Sequence, residues 1–453
     1  MKLSVSPISQ VSFWILPLEQ ADYFRAQYLR FLFQQKISKS RATGKDGVRM
    51  EKFIERLTSE SEIIERKFQS STYKFTRYKE RLLLRGADRE PRQISIPTVR
   101  DRLTLRSLCQ LLHDKEPASK GYSPHAVVDQ VIKCVSQGPV SRKFVRIDVR
   151  NFYPSIVHTK LESALKRSKI DPLVRTLAMS AVKTATGKAE ENKRGVPQGL
   201  SISGALSGVY LKSLDQKFRS RFANYFRYVD DILCVVDNGE EGTVINSIAK
   251  SLNSLGLTIH EEGVAGKTEI KSLDEGVDFL GYHITPDTVS VRESSFKRMF
   301  SNLLKVITDY KYRRNVDRTL FRLNLKITGC IVDGKRRGWL MFFSRTEDLS
   351  QLKFLDVFVS RQLQRIGFPS GKHNDVARFI KAYHEIRYNI AETAYVPNFD
   401  KYDLSQKKKL VSDYRGLKDV EIESWDASRI EDEFSKIVSS EVHDLEEDIG
   451  AFS

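Results

Sequence analysis

The chain has 453 residues, 40% of them hydrophobic, which is enough for several subdomains around a substantial core and excludes a disordered or fibrous protein. Its 75 Lys and Arg residues outnumber 58 Asp and Glu residues, and the formal charge of +17 favours a polyanionic partner, most simply nucleic acid, with an anionic membrane surface as the competing explanation. No apolar run approaches the length of a membrane span, and the four cysteines lack Cys-x-x-Cys spacing, so the sequence predicts a cytoplasmic protein with reduced cysteines and no zinc knuckle.

The first part of the chain predicts a loop, a hairpin and a helix. Residues 44–48 carry two glycines, which suit a tight loop. Residues 73–78 alternate aromatic with basic or polar side chains, and residues 92–97 alternate again after a turn, so together they predict an exposed basic hairpin. Apolar side chains at helical spacing then predict a helix over residues 101–114.

An acid on a strand follows. Over residues 143–149 the alternation places the valine and isoleucine side chains on one face and Arg146 and Asp148 on the other. Asp148 is therefore expected to point away from a buried apolar face, although an isolated acid of this kind is most often an ordinary exposed residue. Residues 151–156 turn the chain into a helix that begins near His158.

The next feature is a loop that leads into a helix. Residues 193–200 are rich in glycine and proline and contain the run Pro197, Gln198 and Gly199. Behind it, residues 201–221 have large apolar side chains at four-residue spacing, which predicts a helix.

A pair of adjacent acids, Asp230 and Asp231, lies between two β-prone runs. Phe226 and Tyr228 lead in and residues 232–236 lead out, so we predict a hairpin with both acids at its tip. Two neighbouring carboxylates repel each other unless cations lie between them, and this favours a site for hard, oxygen-seeking metal ions. An ordinary solvated turn is the alternative interpretation.

The remainder of the chain is helical and becomes acidic at its end. Residues 244–255 predict an amphipathic helix, residues 257–259 a short strand and residues 279–284 a further β element. Basic and apolar side chains alternate at helical spacing from residue 291 to 363, so one face is suited to phosphates. Residues 419–453 hold 12 acids and two bases, which fits either a solvated helix or an autoinhibitory or partner-binding tail.

The strand acid Asp148, the Pro-Gln-Gly loop and the Tyr-Val-Asp-Asp sequence at residues 228–231 resemble, in this order, the motifs of reverse transcriptases. The resemblance extends from about Gly44 to Ile284. Its bacterial branch, which includes group II intron, retron and phage-defence enzymes, is the most similar at residues 44–48, 92–97, 152–156 and 279–281. Residues 322–330 and 338–343 resemble the thumb of the defence-associated "unknown group" reverse transcriptases.

The resemblance implies an α+β right-hand polymerase fold. This fold has fingers, a palm with an antiparallel sheet and a helical thumb, followed here by a C-terminal helical extension. The implied boundaries are residues 1–143 for the N-terminal segment and fingers, 144–288 for the palm, 289–370 for the thumb and 371–453 for the extension with its acidic tail.

The implied activity is RNA-directed DNA synthesis with two Mg²⁺ ions. Nucleotidyl transfer uses two metal ions about 3.5–4 Å apart, which hold the attacking and leaving oxygens, and carboxylates from separate strands must converge on them. Asp148 and Asp230 are the first-choice ligands. Asp231 is the third, and the Val149 carbonyl is a backbone ligand.

The resemblance also suggests which residues hold the nucleotide. Tyr153 is placed where the family has an aromatic side chain that excludes a 2′-hydroxyl, with Phe152 as the alternative if the register shifts by one residue. Gln198 and Gly199 resemble the loop that lies against the templating base pair, where glycine permits close backbone approach.

Three basic residues complete the predicted site. Arg89 and Arg92 lie on the predicted basic hairpin, where guanidinium groups can hold a triphosphate with two hydrogen bonds each, and Arg92 is the preferred of the two. Lys267 resembles the lysine that protonates the departing pyrophosphate. A solvated lysine is the alternative for this position.

The implied partners are a companion non-coding RNA that serves as template and scaffold, an RNA–DNA heteroduplex and dNTPs, with no membrane. The implied role is bacterial antiphage defence. A retron or group II intron-type mobile-element enzyme, template-independent or protein-primed synthesis, and a non-catalytic RNA-binding protein are the alternatives, and homo-oligomer formation stays open.

Overall fold

The computed structural model describes residues 18–38, 42–83, 91–139, 141–222, 224–261 and 267–449, and these fall into two compact units. The first unit contains residues 1–122 and 145–270, and the second contains residues 123–144 and 271–453. The helices of the described ranges are α1 Ala26–Lys36, α2 Met50–Glu55, α3 Leu57–Gln69, α4 Val99–Lys115, α5 Pro124–Ser136, α6 Phe152–Ser155, α7 His158–Arg167, α8 Pro172–Lys183, α9 Ser203–Arg221, α10 Glu241–Ser254, α11 Glu293–Arg313, α12 Val316–Thr328, α13 Trp339–Phe342, α14 Leu349–Arg365, α15 Phe379–Tyr388, α16 Leu404–Arg415, α17 Asp419–Glu423 and α18 Ala427–Ile449. The strands are β1 Lys79–Leu83, β2 Arg92–Ile96, β3 Lys143–Asp148, β4 Tyr225–Tyr228, β5 Asp231–Val236, β6 Glu269–Ser272, β7 Val277–Phe279, β8 Tyr282–Ile284, β9 Val289–Val291, β10 Cys330–Val332 and β11 Lys335–Arg337.

A four-stranded sheet in the order β4-β5-β3-β6 positions the acids. The predicted hairpin is confirmed, since β4 and β5 pair antiparallel and Tyr228 faces Asp231 across the turn. Val145 and Ile147 of β3 are fully buried as predicted, but Phe144 and Arg146 on the opposite face are buried as well, so the predicted alternation of burial is wrong: β3 lies between β5 and β6 inside the sheet and is covered on both faces. Because β3 lies beside β5, the acid at the end of β3 and the acids of the hairpin meet at one edge of the sheet.

The predicted basic hairpin exists, but its first strand is displaced. Residues 73–78 do not form a strand; β1 covers Lys79–Leu83 and pairs with β2. The aromatic side chains of the preceding segment are core residues, and Tyr73 and Tyr78 are buried with their hydroxyls donating to Asp101 (2.8 Å) and to the Ala181 carbonyl (2.9 Å). The alternating pattern predicted a strand, but these large aromatic side chains are instead buried in the core from a segment without strand structure.

The predicted helices are confirmed close to their expected bounds. Residues 101–114 lie in α4, whose first turn is capped because the Thr98 side chain accepts from the Asp101 amide. Residues 201–221 and 244–255 correspond to α9 and α10, and a helix begins at His158 as expected. Across the described ranges, none of the helices combines the length and the apolar character needed to cross a membrane.

In the second unit the acidic tail forms α18, and its apolar face is buried. Phe434, Ile437 and Leu445 join a core cluster with residues of α12 and α16. The tail is therefore an integral part of this unit rather than a solvated helix. It also engages bases that the sequence assigned to a phosphate-facing surface, since Arg322 binds Glu441 at 3.2 Å and Lys326 donates to the Asp444 carbonyl at 3.0 Å.

Candidate active site

The tip of the β4-β5 hairpin has an unusual backbone. Val229 has φ of 53°, in the left-handed region that β-branched residues rarely adopt. A hydrogen bond stabilises this strained conformation, since Nη1 of Arg227 donates to the Val229 carbonyl at 2.7 Å. Asp230 follows in the turn, and Asp231 is the first residue of β5.

Arg227 is itself fixed by a buried carboxylate. Its Nε and Nη2 donate to the two oxygens of Asp215 on α9 at 2.7 and 2.5 Å, and Tyr225 adds a third donor to Asp215 at 3.0 Å. Both side chains are about nine-tenths buried. The sequence interpretation missed this pair, although an arginine two residues before a strained turn is a signal that can be sought.

Asp148 ends β3 beside two basic side chains. Nζ of Lys267 donates to Asp148 Oδ2 at 2.5 Å, and Nε2 of His260 lies 3.6 Å from the same oxygen. The predicted strand at residues 257–259 is only an isolated bridge between Val149 and Ile259, made by the Asp148 carbonyl and the Arg150 amide. The Val149 carbonyl takes no part in that bridge.

Asp231 is engaged by an arginine that the sequence interpretation did not assign to the site. Arg146 on β3 donates from Nε and Nη2 to the two carboxylate oxygens of Asp231, each at 3.0 Å. Its Nη1 also lies 3.7 Å from Glu269 on β6. Burial alone would lower the pKa of Arg146, but Asp231 and Glu269 raise it above its ordinary value.

The third acid is held in an environment that opposes its charge. Burial, together with the nearby carboxylates of Asp231 and Asp148, raises the pKa of Asp230 from 3.8 to about 6. The strand order agrees with this repulsion, because β3 lies beside β5 and brings the three predicted acids to one edge of the sheet. The pKa of His260 is lowered by burial and by Lys267, which keeps that imidazole neutral near pH 7.

A cation is the natural counterpart of this cluster, because the buried Asp230 carboxylate is destabilised by its neighbours and carboxylate oxygen is the donor that Mg²⁺ prefers. The donor set thus fits the expected metal. Over the residues that the structure describes, however, no three His, Cys, Asp or Glu side chains form a ready-made ligand group. In this structure Asp148 contacts Lys267 and Asp231 contacts Arg146.

The loop before α9 docks on β2. The Ser95 amide donates to the Gln198 carbonyl at 2.7 Å, and Nε of Arg92 donates to the Gln198 side chain. Arg92 also acts electrostatically on Asp230, lowering its pKa against the stronger effect of burial. The predicted triphosphate residue and the predicted template loop are therefore neighbours.

Tyr153, rather than Phe152, faces the acids. Phe152 is buried in the core, whereas Tyr153 is only partly buried. Burial raises the pKa of Tyr153, and Asp230 raises it while Arg92 lowers it, so its hydroxyl lies within the electrostatic field of both residues. Arg89, the other predicted triphosphate ligand, lies outside the described residues.

Replacement of Gly199 by Ala is expected to loosen this loop. Gly199 has φ of 96°, and an added Cβ would lie 2.7 Å from Ile94 Cγ2 and 2.9 Å from the Ser95 carbonyl oxygen. We expect Gly199→Ala to lower the free energy of unfolding by about 2–3 kcal/mol through strain and contact together. Gly47→Ala is the matched control, since φ is 68° there but nothing lies within 4 Å. Equal losses in urea unfolding of the two variants would contradict the docking of Gly199 on β2.

Strand β3 ends in one acid beside an antiparallel hairpin that carries two more, and this arrangement within an α+β chain defines a right-hand polymerase fold. The sequence comparison agrees with this fold, because the family described as reverse transcriptase (RNA-dependent DNA polymerase) matches residues 85–284.

Individual proteins are similar to this chain only at low sequence identity. The chain is 23% identical over 292 residues to Protein YkfC of Escherichia coli (strain K12), covering 53% of this chain and 75% of that protein. Among solved structures, apo telomerase from Candida tropicalis truncated from its C-terminal domain aligns with 16% identity and a TM-score of 0.36, over 48% of this chain and 55% of that one. Telomerase from Candida albicans in complex with a fragment of telomeric RNA aligns with 13% identity and a TM-score of 0.42, over 83% and 68%. The chain thus spans about half of the C. tropicalis chain.

Proposed function

We propose that this protein is an RNA-directed DNA polymerase whose catalytic centre is formed by Asp148, Asp230 and Asp231. The observation that carries the proposal is the convergence of these acids from two neighbouring strands, with Asp230 raised to a pKa of about 6 by burial and by the other two carboxylates. A non-catalytic RNA-binding protein with the same fold would gain nothing from holding three mutually repelling carboxylates together.

Asp148, Asp230 and the Val149 carbonyl, with Asp231 beside them, are the proposed ligands of two Mg²⁺ ions. When bound, such ions stabilise the charge on the attacking and leaving oxygens of nucleotidyl transfer. Lys267 holds a proton at Nζ that can be given to the departing pyrophosphate. The Lys267 side chain, which contacts Asp148, is 38% exposed, so the ammonium can exchange partners.

The remaining proposed residues hold the nucleotide and template. Arg92 is proposed to bind the triphosphate together with Arg89, and the loop at Gln198 and Gly199 is proposed to lie against the templating pair. We further propose that residues 1–143 contain the fingers, 144–288 the palm, 289–370 the thumb and 371–453 the C-terminal extension.

Tyr153 is proposed to select deoxynucleotides through its ring. We expect Tyr153→Ala to raise the incorporation of rNTPs relative to dNTPs by about 10- to 200-fold, the range that one steric contact supplies. The measurement is the ratio of kcat/KM for the two nucleotides with the same primer and template. Phe152→Leu is the control, because its side chain is buried in the core and is expected to change stability without changing sugar selection. An unaltered ratio in Tyr153→Ala would reject this role.

The biological role proposed is cDNA synthesis from a companion non-coding RNA in bacterial antiphage defence, with dNTPs as substrates and an RNA–DNA heteroduplex as product. It is supported by the resemblance to defence-associated enzymes and by the charge of +17, which suits RNA phosphates. Sequencing the RNA and DNA that co-purify with the protein identifies template and product together. A recovered intron RNA would favour the mobile-element alternative.

Extension of a DNA primer on an RNA template, with dNTPs and Mg²⁺, tests the proposed activity directly. Wild-type protein is expected to extend the primer, and Asp230→Ala and Asp231→Ala are expected to fail. Equal incorporation by wild type and both variants would overturn the assignment.

A further inference from the structure

Two helices of the second unit, α11 and α14, carry an exposed apolar patch. Its members follow one another at helical spacing along both helices, and they are Phe296, Phe300, Leu304, Phe354, Val357 and Phe358. Phe354 is 60% exposed, Val357 40% and Leu304 39%. The patch is continuous across the two helices, because the ring centroid of Phe300 lies 5.7 Å from that of Phe354 and 4.6 Å from that of Phe358.

This patch is separate from the core of the unit. The core face of α14 is formed by the buried side chains of Leu352, Leu355, Val359 and Leu363. Phe354, Val357 and Phe358 therefore form a second apolar face of the same helix. A helix that is apolar on two faces is typical of one that is covered on both, and a continuous exposed apolar surface is typical of an interaction site.

The border of the patch is basic. Three exposed bases lie beside its members on the two helices, and they are Lys297, Lys353 and Arg361. The acids of α11 and α14 have other partners: Glu293 binds Lys297 at 2.5 Å, and Asp309 binds arginines of α11 and α12. Asp356 accepts from the first two amides of α15. An occupant of the patch should therefore have an apolar centre and an acidic border.

The same unit presents a surface of this composition on α17. Val420 is 82% exposed, and the exposed acids Glu421 and Glu423 lie beside it. Ile422 is buried in the core cluster that also contains residues of α16 and α18, so α17 is held with Val420 on its outer side. We call Val420, Glu421 and Glu423 the acidic α17 surface.

We propose that the apolar patch of one copy of this chain binds the acidic α17 surface of a second copy, so that the protein self-associates head to tail. Apolar contact at the centre and opposite charges at the border make the two surfaces complementary. Because each copy carries both surfaces, such a contact continues from copy to copy into a ring or a filament. This inference goes beyond the proposed polymerase and does not depend on it.

Two other occupants fit the patch less well. A symmetric contact between two patches would place Lys353 and Arg361 of each copy against the same bases of the other, and like charges repel. RNA phosphates would pair with the bases, but unpaired RNA binds aromatic rings by stacking and would leave the aliphatic Leu304 and Val357 without an apolar partner.

Sedimentation of the full chain, purified free of RNA, tests the proposal over a range of protein concentrations. Wild type is expected to self-associate, and more weakly in high salt because the border charges are screened. Phe354→Ser should weaken the association by about 30-fold or more, the loss typical of a central aromatic residue. Val420→Ser should weaken it by about tenfold. A wild type that stays monomeric up to about 100 μM in low salt would overturn the proposal.

Two further variants control for folding and for exposure. Lys353→Glu leaves the aromatic rings in place, and it should weaken association several-fold in low salt and have little effect in high salt, which covers the case in which Phe354→Ser fails to fold. Ile54→Ser removes a side chain that is 50% exposed in the other unit, and it should associate like wild type. Wild-type association of both Lys353→Glu and a folded Phe354→Ser would reject the role of the patch.

A mixture of two variants tests the head-to-tail arrangement itself. Phe354→Ser lacks a working patch and Val420→Ser lacks a working α17 surface, but together they restore one intact contact. An equimolar mixture should therefore form a dimer with one copy of each variant and nothing larger. A mixture that associates no better than the separate variants would overturn the arrangement.

Binding of a fluorescent single-stranded RNA to the same proteins distinguishes the remaining occupant. Phe354→Ser is expected to bind this RNA within a few-fold of wild type, since the patch is assigned to a second copy. Weaker RNA binding together with unchanged self-association would assign the patch to RNA and overturn the proposal.

Discussion

Asp230→Asn is expected to slow DNA synthesis severely and, in protein without divalent metal, to make the fold more stable at pH 8. The activity is expected to fall by about 10²–10³-fold or more, since a carboxylate at the centre of the charge distribution is removed. Stability is expected to rise because the charge of Asp230 is opposed by burial and by two neighbouring acids. A pKa of about 6 against an ordinary 3.8 corresponds to about 3 kcal/mol.

The extra stability of Asp230→Asn over wild type is expected to depend on pH. Above pH 6 the native carboxylate is ionised at a cost, whereas the unfolded chain ionises freely, so the full difference between variant and wild type is present. As pH falls from about 6 toward 3.8 the native carboxyl takes up a proton, and the advantage of Asn shrinks toward zero. The measurement is urea unfolding of both proteins between pH 4 and pH 8 in the presence of a chelator.

Two controls sharpen this prediction. Asp237→Asn, at an exposed position just after β5, is expected to leave both activity and stability close to wild type. Mg²⁺ is expected to reduce the stability difference at pH 8, because it binds the wild-type native state and not the variant. A wild type that is equally or more stable than Asp230→Asn at pH 8 without metal would contradict the electrostatic account of the site.

Arg227→Met is expected to lower the free energy of unfolding by about 3–5 kcal/mol, because it leaves Asp215 buried without its guanidinium partner. The same change removes the hydrogen bond to the Val229 carbonyl, which stabilises the left-handed backbone at the hairpin tip. Both DNA synthesis and stability should therefore fall. Thermal or urea unfolding and single-nucleotide incorporation measure the two effects.

The double variant Asp215→Leu with Arg227→Met separates the two effects. Replacing both members of a buried ion pair by apolar side chains is often close to neutral in stability, so most of the lost stability should return. Activity should not return, since no donor then reaches the Val229 carbonyl. Recovery of full activity in the double variant would show that Arg227 matters only through its pairing with Asp215.

The parts of the fold that follow from local pattern were predictable. Alternation along residues 143–149 gave the strand that carries Asp148, and two β-prone runs around adjacent acids gave the hairpin of Asp230 and Asp231, because side-chain periodicity decides which face of a strand is buried. The helices α4 and α9 follow from apolar spacing in the same way.

The partners of the acids were not predictable, because they depend on contacts between distant segments. Arg146 and Asp231 are 85 residues apart in sequence and meet only because β3 lies beside β5. Alternation placed Arg146 on the same face as Asp148, which was the available signal. The strand predicted at residues 73–78 is wrong for the same reason. The aromatic side chains there have distant partners in the core, such as Asp101, and their spacing in sequence resembles that of a strand.

The most direct test of the central claim is the single-turnover rate of dTMP incorporation on a poly(rA) template with an oligo(dT) primer, for wild type, Asp148→Asn and Asp237→Asn. If Asp148 joins Asp230 in one catalytic centre, Asp148→Asn loses about 10²–10³-fold or more in rate, while Asp237→Asn matches wild type. Asp148→Asn protein that is folded and incorporates dTMP at the wild-type rate would contradict the account.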